Sequence, residues 1–402
     1  MERRTHIRAG RGGFSINHNQ TQQTSKEPLL DAELERILGL QATAAELAAA
    51  GAASAALVLA EQALAGMREL EGEASADVAN LLCDCAELRE QVGRYAEAEA
   101  DAARAMRILD TLVPELPSPE GELLRLRAMG LHGTLLRECG RYRDAEALLR
   151  AAVALAESFA REEPAAAGDC LPAALNNLGV LYKYTGAFAE AERIYRRALR
   201  LVESRAEPDP LLQATLYHNL GGLAHARGDH AHGEPLARRA WELRAALLGP
   251  DHPQTLADAA ALAGLLDGLG RYGESEPIYR QALARFEALF GPVHYEVAVN
   301  LNNLGALLAA TGRPQEAEAT YRRALALKEA LLGPDHVDAA LTCHNLGVLL
   351  GQREEWAQAV MLLERALGIF AHVLPASHPS VITCRESLRS VCAPSAHRLV
   401  RS

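Results

Sequence analysis

The chain has 402 residues, 49% of them apolar, which is ample for a core and excludes a largely disordered protein. Its formal charge of −11 excludes a general nucleic-acid binder, which needs a basic face. Aromatic residues make up only 4%, a balance that favours close-packed helices over sheets.

Residues 1–28 carry Arg3, Arg4, Arg8, Arg11 and Lys26 among glycines and a polar run, and are expected to form a disordered basic tail. From residue 29 a turn signal becomes periodic, at Gly51, Gly93, Gly140, Gly186, Gly228, Gly270, Gly312 and Glu354. The separations are 42, 47, 46 and then 42 four times, which marks an array of repeats running to residue 378. Around Gly186 the unit reads as two short amphipathic helices. Leu175, Leu178, Gly179 and Tyr182 share one face of the first, and Ala191, Tyr195 and Ala198 one face of the second. An aromatic follows most turns by two residues (Tyr95, Tyr142, Phe188, Tyr272, Trp356), and a small residue follows by five. The longer intervals place insertions at 113–121 and 162–172, both rich in proline and glycine and expected as loops. Pro235 and Pro277 fall within second helices, which are expected to start late or bend there.

The links between repeats are equally regular: LLGPDHP, LFGPVHY, LLGPDHV and VLPASHP contain His252, His294, His336 and His378, each 42 apart. Gly249, Gly291 and Gly333 end a helix, the following proline blocks its continuation, and Asp251 or Asp335 is positioned to cap the next. One histidine per stacked repeat lies too far from the next to share an ion, so the links read as structural. Residues 379–392 follow as a capping helix with a stripe of Ser380, Val381, Cys384 and Leu388, and 393–402 as a tail.

LNNLG at 175–179 and 301–305, HNLG at 218–221 and 344–347, EAE with YRRAL at 190–199 and 316–325, and the LLGPDH links make the unit resemble a tetratricopeptide repeat. The class is the 42-residue one of kinesin light chains and bacterial repeat proteins. The resemblance covers roughly residues 40–375 and stops at the repeats; no heptad coiled coil precedes them, so motor transport is not inferred. It implies an all-α, right-handed superhelical solenoid of about eight antiparallel helix pairs, completed by neighbour-on-neighbour packing.

The resemblance also implies that first helices line a concave groove. The residues beside the core leucine there are Asn176 and Asn177, His218 and Asn219, Asn302 and Asn303, and His344 and Asn345; the sixth repeat has Ala260 and Ala261 instead. An amide both donates and accepts, so a row of amides can hold a peptide backbone regardless of its sequence. Lys183 and His225 add positive charge for an acidic peptide. The competing reading is that the asparagines only satisfy neighbouring helix backbone.

No metal site is expected. His225, His230 and His232 around Asp229 form the one dense histidine cluster, but their convergence is not secured by spacing. Cys83 and Cys85, two apart on a helix, point to different faces. Seven scattered cysteines read as reduced thiols. No phosphate-cradling loop, HExxH or nucleophile elbow stands out, so neither enzyme activity nor cofactor is expected. No apolar run approaches a membrane span and no secretion signal is visible, which points to the cytoplasm and no membrane partner. The expected function is a non-catalytic adaptor that binds a protein or peptide partner, with self-association open. The alternatives are a regulatory sensor of a short signalling peptide and an accessory subunit of a neighbouring enzyme.

Overall fold

The computed structural model describes residues 27–399 except 50–51, 116–117, 375 and 377. The expected basic tail and the turn at Gly51 therefore lie outside the described residues, apart from the start of the first helix. The described residues are helical throughout, with no strand. Two compact units divide the chain, one ending at Leu181 and the other running on from Tyr182.

The N-terminal unit comprises α1 (Glu27–Ala49), α2 (Ala53–Glu71), α3 (Ala76–Gln91), α4 (Tyr95–Glu115), α5 (Pro119–Glu138), α6 (Tyr142–Glu162), the short α7 (Pro164–Ala167) and most of α8 (Cys170–Tyr184). Both insertions differ from the expected loops. Of the first, 113–115 end α4 and 119–121 begin α5, with 116–117 outside the described residues, and the second contains α7. The reason is the placement of the prolines. Pro119 and Pro164 occupy first-turn positions, where a missing N–H has no helical partner to lose, and Ser118 caps α5 by accepting from the Gly121 N–H at 3.0 Å. First helices in this unit are stitched to one another by Arg127. Its guanidinium donates to Asn80 (2.7 Å), Asp84 (2.6 Å) and Glu87 (2.9 Å), and Asp84 also accepts from Gln41 at 2.7 Å.

The C-terminal unit continues with α9 (Phe188–Glu203), α10 (Pro210–Ala226), α11 (His230–Leu248), α12 (Pro253–Gly268), α13 (Tyr272–Phe290), α14 (Tyr295–Ala310), α15 (Pro314–Leu332), α16 (Val337–Gln352), α17 (Trp356–Val373) and α18 (Pro379–Leu399). α9 packs on α10, each second helix from α11 onward packs on its own first helix and on the next one, and first helices also touch each other from α10 through α18. The small residues five past each turn (Ala191, Gly233, Ser275, Ala317, Ala359) are all buried. Neither α11 nor α13 starts late. Pro235 and Pro277 are the sixth residue of each helix, so the lost bond is the one to the carbonyl of Ala231 or Gly273 in the first turn.

The turns carry the backbone conformation that glycine takes at least cost: Gly186, Gly228, Gly270 and Gly312 have φ between 73° and 78°. Glu354 holds the same place at φ 64°, the sole non-glycine residue with positive φ among the described residues. A side chain in this left-handed region costs about 1–2 kcal/mol. Glu354→Gly is therefore expected to stabilise the protein by about 1 kcal/mol, read as a higher urea midpoint at unchanged slope.

The links are capped by histidine and not by Asp251 or Asp335. Nδ1 of His252, His294, His336 and His378 accepts the backbone N–H two residues on, at 3.1–3.2 Å. The aspartate precedes the extended cap residue by one, and Asp251 instead pairs with Arg285 at 3.0 Å. His378 has a second role. Its Nε2 donates to the Tyr184 carbonyl at 2.9 Å, 194 residues away, and a Cβ on Gly186 would lie only 3.2 Å from Pro379. The last link thus rests on the first turn of its own unit. Both bonds need a neutral ring with its proton on Nε2, and burial lowers the pKa of His378. The unfolded chain then binds more protons between that lowered value and the ordinary one of about 6.5. This contribution is present above about pH 6.5 and is lost as pH falls through the folded value. Urea midpoints are expected to drop from pH 7.5 to 5.0, and to drop less in His378→Asn, which can still cap but does not titrate.

Glu192, Glu234, Glu276 and Glu318, 42 apart, each accept from an arginine four residues on (Arg196, Arg238, Arg280, Arg322). Each also forms an ion pair with an arginine in the turn of the next pair (Arg227, Arg271, Arg313, Arg353). Exposed pairs contribute little singly. As a periodic network they fix how each pair sits on the last.

Candidate functional site

The face formed by the first helices of the C-terminal unit carries most of the residues singled out from the sequence. On α10, Asn219 is fully buried and His218 is 9% exposed. His218 Nδ1 lies 2.7 Å from Asp258 Oδ1, and a carboxylate can only accept, so Nδ1 carries the proton. Asp258, 2% exposed, in turn accepts from Arg244 Nε at 2.6 Å. Arg244 completes its fork on Gln254 at 3.0 Å and Thr215 at 3.3 Å. The imidazole is held by a three-helix chain of bonds drawn from α10, α11 and α12.

On α14 and α16 the amides meet each other. Asn302 Oδ1 accepts from Thr342 at 3.1 Å and from Asn345 Nδ2 at 3.3 Å, and its own Nδ2 donates to Asn303 at 3.5 Å. His344 Nε2 lies 3.1 Å from Ser387 Oγ on α18. Asn302 is buried, whereas Asn303, His344 and Asn345 remain half-exposed. In the gap between these groups α12 presents Ala260 and Ala261, as its sequence requires.

Lys183 and His225 occupy one position in successive repeats, and each lies over a glycine of the next first helix. A Cβ on Gly222 would stand 3.0 Å from Lys183 Nζ, and one on Gly264 would stand 3.6 Å from the His225 ring. Lys183 is half-buried and His225 exposed. The His225 ring is 5.2 Å from that of His230. His232 faces Arg196 instead, so the three histidines do not converge. No group of three or more metal-ligating side chains occurs among the described residues. Asn176 and Asn177 lie on the part of α8 that belongs to the N-terminal unit. Asn176 is buried and Asn177 half-exposed, with its Nδ2 2.9 Å from where a Cβ on Gly130 would be.

The buried charges on second helices escaped the sequence reading. Arg244, Phe286, Lys328 and Phe370 stand 42 apart at one core position, alternately a cation and an aromatic. Lys328 is 2% exposed and donates to the Asp338 carbonyl at 3.2 Å, and burial lowers its pKa. An acidic or amide residue stands ten places after each cation, Gln254 and Asp338, at the head of the next first helix, but Glu296 stands ten places after Phe286 too, so this spacing alone does not mark the cations. The cysteines form no disulfide among the described residues, and burial pushes the thiols of Cys83 and Cys85 up to about 12, far from a reactive range. No helix among the described residues is long and apolar enough to cross a membrane.

An array of helix pairs that turn on a residue of positive φ, glycine in all but the last described pair, defines a helical-repeat protein. The tetratricopeptide-repeat profile matches residues 212–288, 261–330 and 296–371, and a second profile of the same repeat matches 173–209. The chain is a tetratricopeptide-repeat protein. No curated protein matches its sequence. Among solved structures it is similar to a Rap protein complexed with Competence and Sporulation Factor, at 14% identity and TM-score 0.53, over 92% of this chain and 99% of that one. It is also similar to the Rap conjugation gene regulator of the plasmid pLS20 in complex with the Phr* peptide, at 15% identity and TM-score 0.54, over 81% and 80%. BtubC (BKLC) from P. vanneervenii matches at 25% identity and TM-score 0.45, over 57% of this chain and 91% of that one. These likenesses are of fold.

Proposed function

We propose that the C-terminal unit binds an extended peptide segment of another protein along its first-helix face, without catalysis. The observation that carries this reading is the division of labour on that face. Its buried His218 and Asn302 bond neighbouring helices and Asn219 is fully buried, while Lys183, His225, Asn303, His344 and Asn345 keep solvent-facing surface. Gly222 and Gly264 leave room for the Lys183 and His225 side chains that lie over them. A preorganised row of donors and acceptors suits a peptide backbone, and Lys183 suits an acidic side chain on it. A Rap structure of the same fold was solved in complex with the Phr* peptide, and another with Competence and Sporulation Factor, which supports a peptide as the ligand class. The same likeness favours a second reading, a sensor in which a short free peptide shifts the population of conformers.

The test is affinity capture from native cell extract with wild-type protein and with Lys183→Ala/His225→Ala/Asn303→Ala, after circular dichroism shows equal helicity. A protein retained by wild type and lost by the folded variant supports the adaptor reading. Loss of a short peptide alone supports the sensor. Retention by the variant moves the interface off this face. Asn219 and Asn302 are left intact because their truncation would disturb packing.

A further inference from the structure

A cavity of about 220 Å³ opens between α9, α10 and α11, on a different side of α10 from His218 and His225. Its floor is Leu220, Leu223, Ala224 and Leu236, and its rim is Glu192, Arg196, Arg227, Asp229 and His232. The repeat explains why it exists. Leu266, Leu308 and Leu350 stand 42, 84 and 126 residues after Ala224, so the later pairs carry leucine where this one carries alanine. The cavity far exceeds the space of one water yet falls short of the roughly 300–1,000 Å³ of cofactor and drug sites. It suits a ligand about the size of an amino acid.

The rim carries charge of both signs. Arg196 and Arg227 both bind Glu192, and Arg196 Nη2 also lies 3.3 Å from His232 Nε2. Each guanidinium has five N–H donors, so both keep donors beyond these bonds. Asp229 precedes α11 as its cap residue, but its side chain makes no cap hydrogen bond. In the later pairs the residue at its place is Arg271, Arg313 or Glu355. An apolar floor under two arginines and one aspartate matches three parts of a single small molecule.

We propose that this cavity is a binding site for a free aliphatic α-amino acid of about leucine size. The ligand carboxylate binds Arg196 and Arg227, its ammonium binds Asp229, and its side chain fills the space that leucine fills in the later pairs. The site is separate from the first-helix face, so either proposal can fail alone.

The test is calorimetric titration of the full chain with L-leucine, L-leucinamide and N-acetyl-L-leucine. Leucine is expected to bind saturably, and each derivative, lacking one charge, about tenfold or more weakly. Ala224→Leu is expected to abolish binding by filling the cavity. Because Ala224 also touches the Gly233 position, its melting temperature is measured alongside. Should that variant not fold, Asp229→Asn, at an exposed site, is the second probe, and is expected to bind leucine no better than wild type binds N-acetyl-L-leucine. The proposal is overturned if leucine shows no saturable binding up to its solubility. It is equally overturned if binding survives Ala224→Leu in a folded protein, or if both derivatives and Asp229→Asn behave like leucine and wild type.

Discussion

Replacing Arg244 by alanine is expected to lower the stability of the C-terminal unit by about 3–5 kcal/mol, the usual cost of leaving one member of a buried ion pair alone. Asp258 is 2% exposed, and both of its oxygens are engaged, one by Arg244 and one by His218. Without the guanidinium its charge sits beside a single imidazole, and Gln254 and Thr215 lose a donor each. The repeat itself does not demand a cation here, because Phe286 and Phe370 fill the same place two units apart. Arg244→Met/Asp258→Leu is therefore expected to recover most of the loss, as apolar replacements of buried ion pairs do. Urea unfolding of the three proteins measures both effects. A single variant as stable as wild type would mean that Asp258 reaches solvent.

Gly305→Ala is expected to reverse the usual sign of a glycine-to-alanine change in a helix. In an open helix the change stabilises by about 0.5–1 kcal/mol, because glycine has more chain entropy to lose. At residue 305 the new Cβ would lie 2.8 Å and 2.9 Å from two ring carbons of Tyr321, which is 3% exposed and packed on every side. The ring can give way only by separating α14 from α15, and overpacking of this kind costs about 1–3 kcal/mol. Gly368, in α17 with nothing within 4 Å, is the control, and Gly368→Ala is expected to stabilise. Equal changes in thermal midpoint for the two variants would contradict the close approach.

Much of the architecture was legible in the chain because its cause is local and repeats. The 42-residue interval, a glycine wherever the backbone must turn left-handed, and a small residue five places later specify a helix pair without reference to anything distant. The same locality made the boundaries of the insertions hard to read. Pro119 and Pro164 look like breakers in composition, and only their place in the first turn turns them into helix starts. His252, His294 and His336 were visible as a series, but their capping role depends on extended cap backbone one residue past Asp251, Val293 or Asp335.

The candidate face was legible as residue types and not as roles. Asn219 and Asn303 occupy one position of one motif, yet the first is fully buried and the second half-exposed, because the residues packed around them differ. His218 acquires its orientation from Asp258, 40 residues on, and Asp258 its charge balance from Arg244 on another helix. A cavity at Ala224 is likewise a property of three helices together. The sequence by itself determined the repeat, its helices and its turns, since these follow from each residue's own backbone preference and spacing. The tertiary structure alone decided which polar groups are consumed between helices and which face outward, because burial and hydrogen bonding are settled by neighbours a whole repeat away.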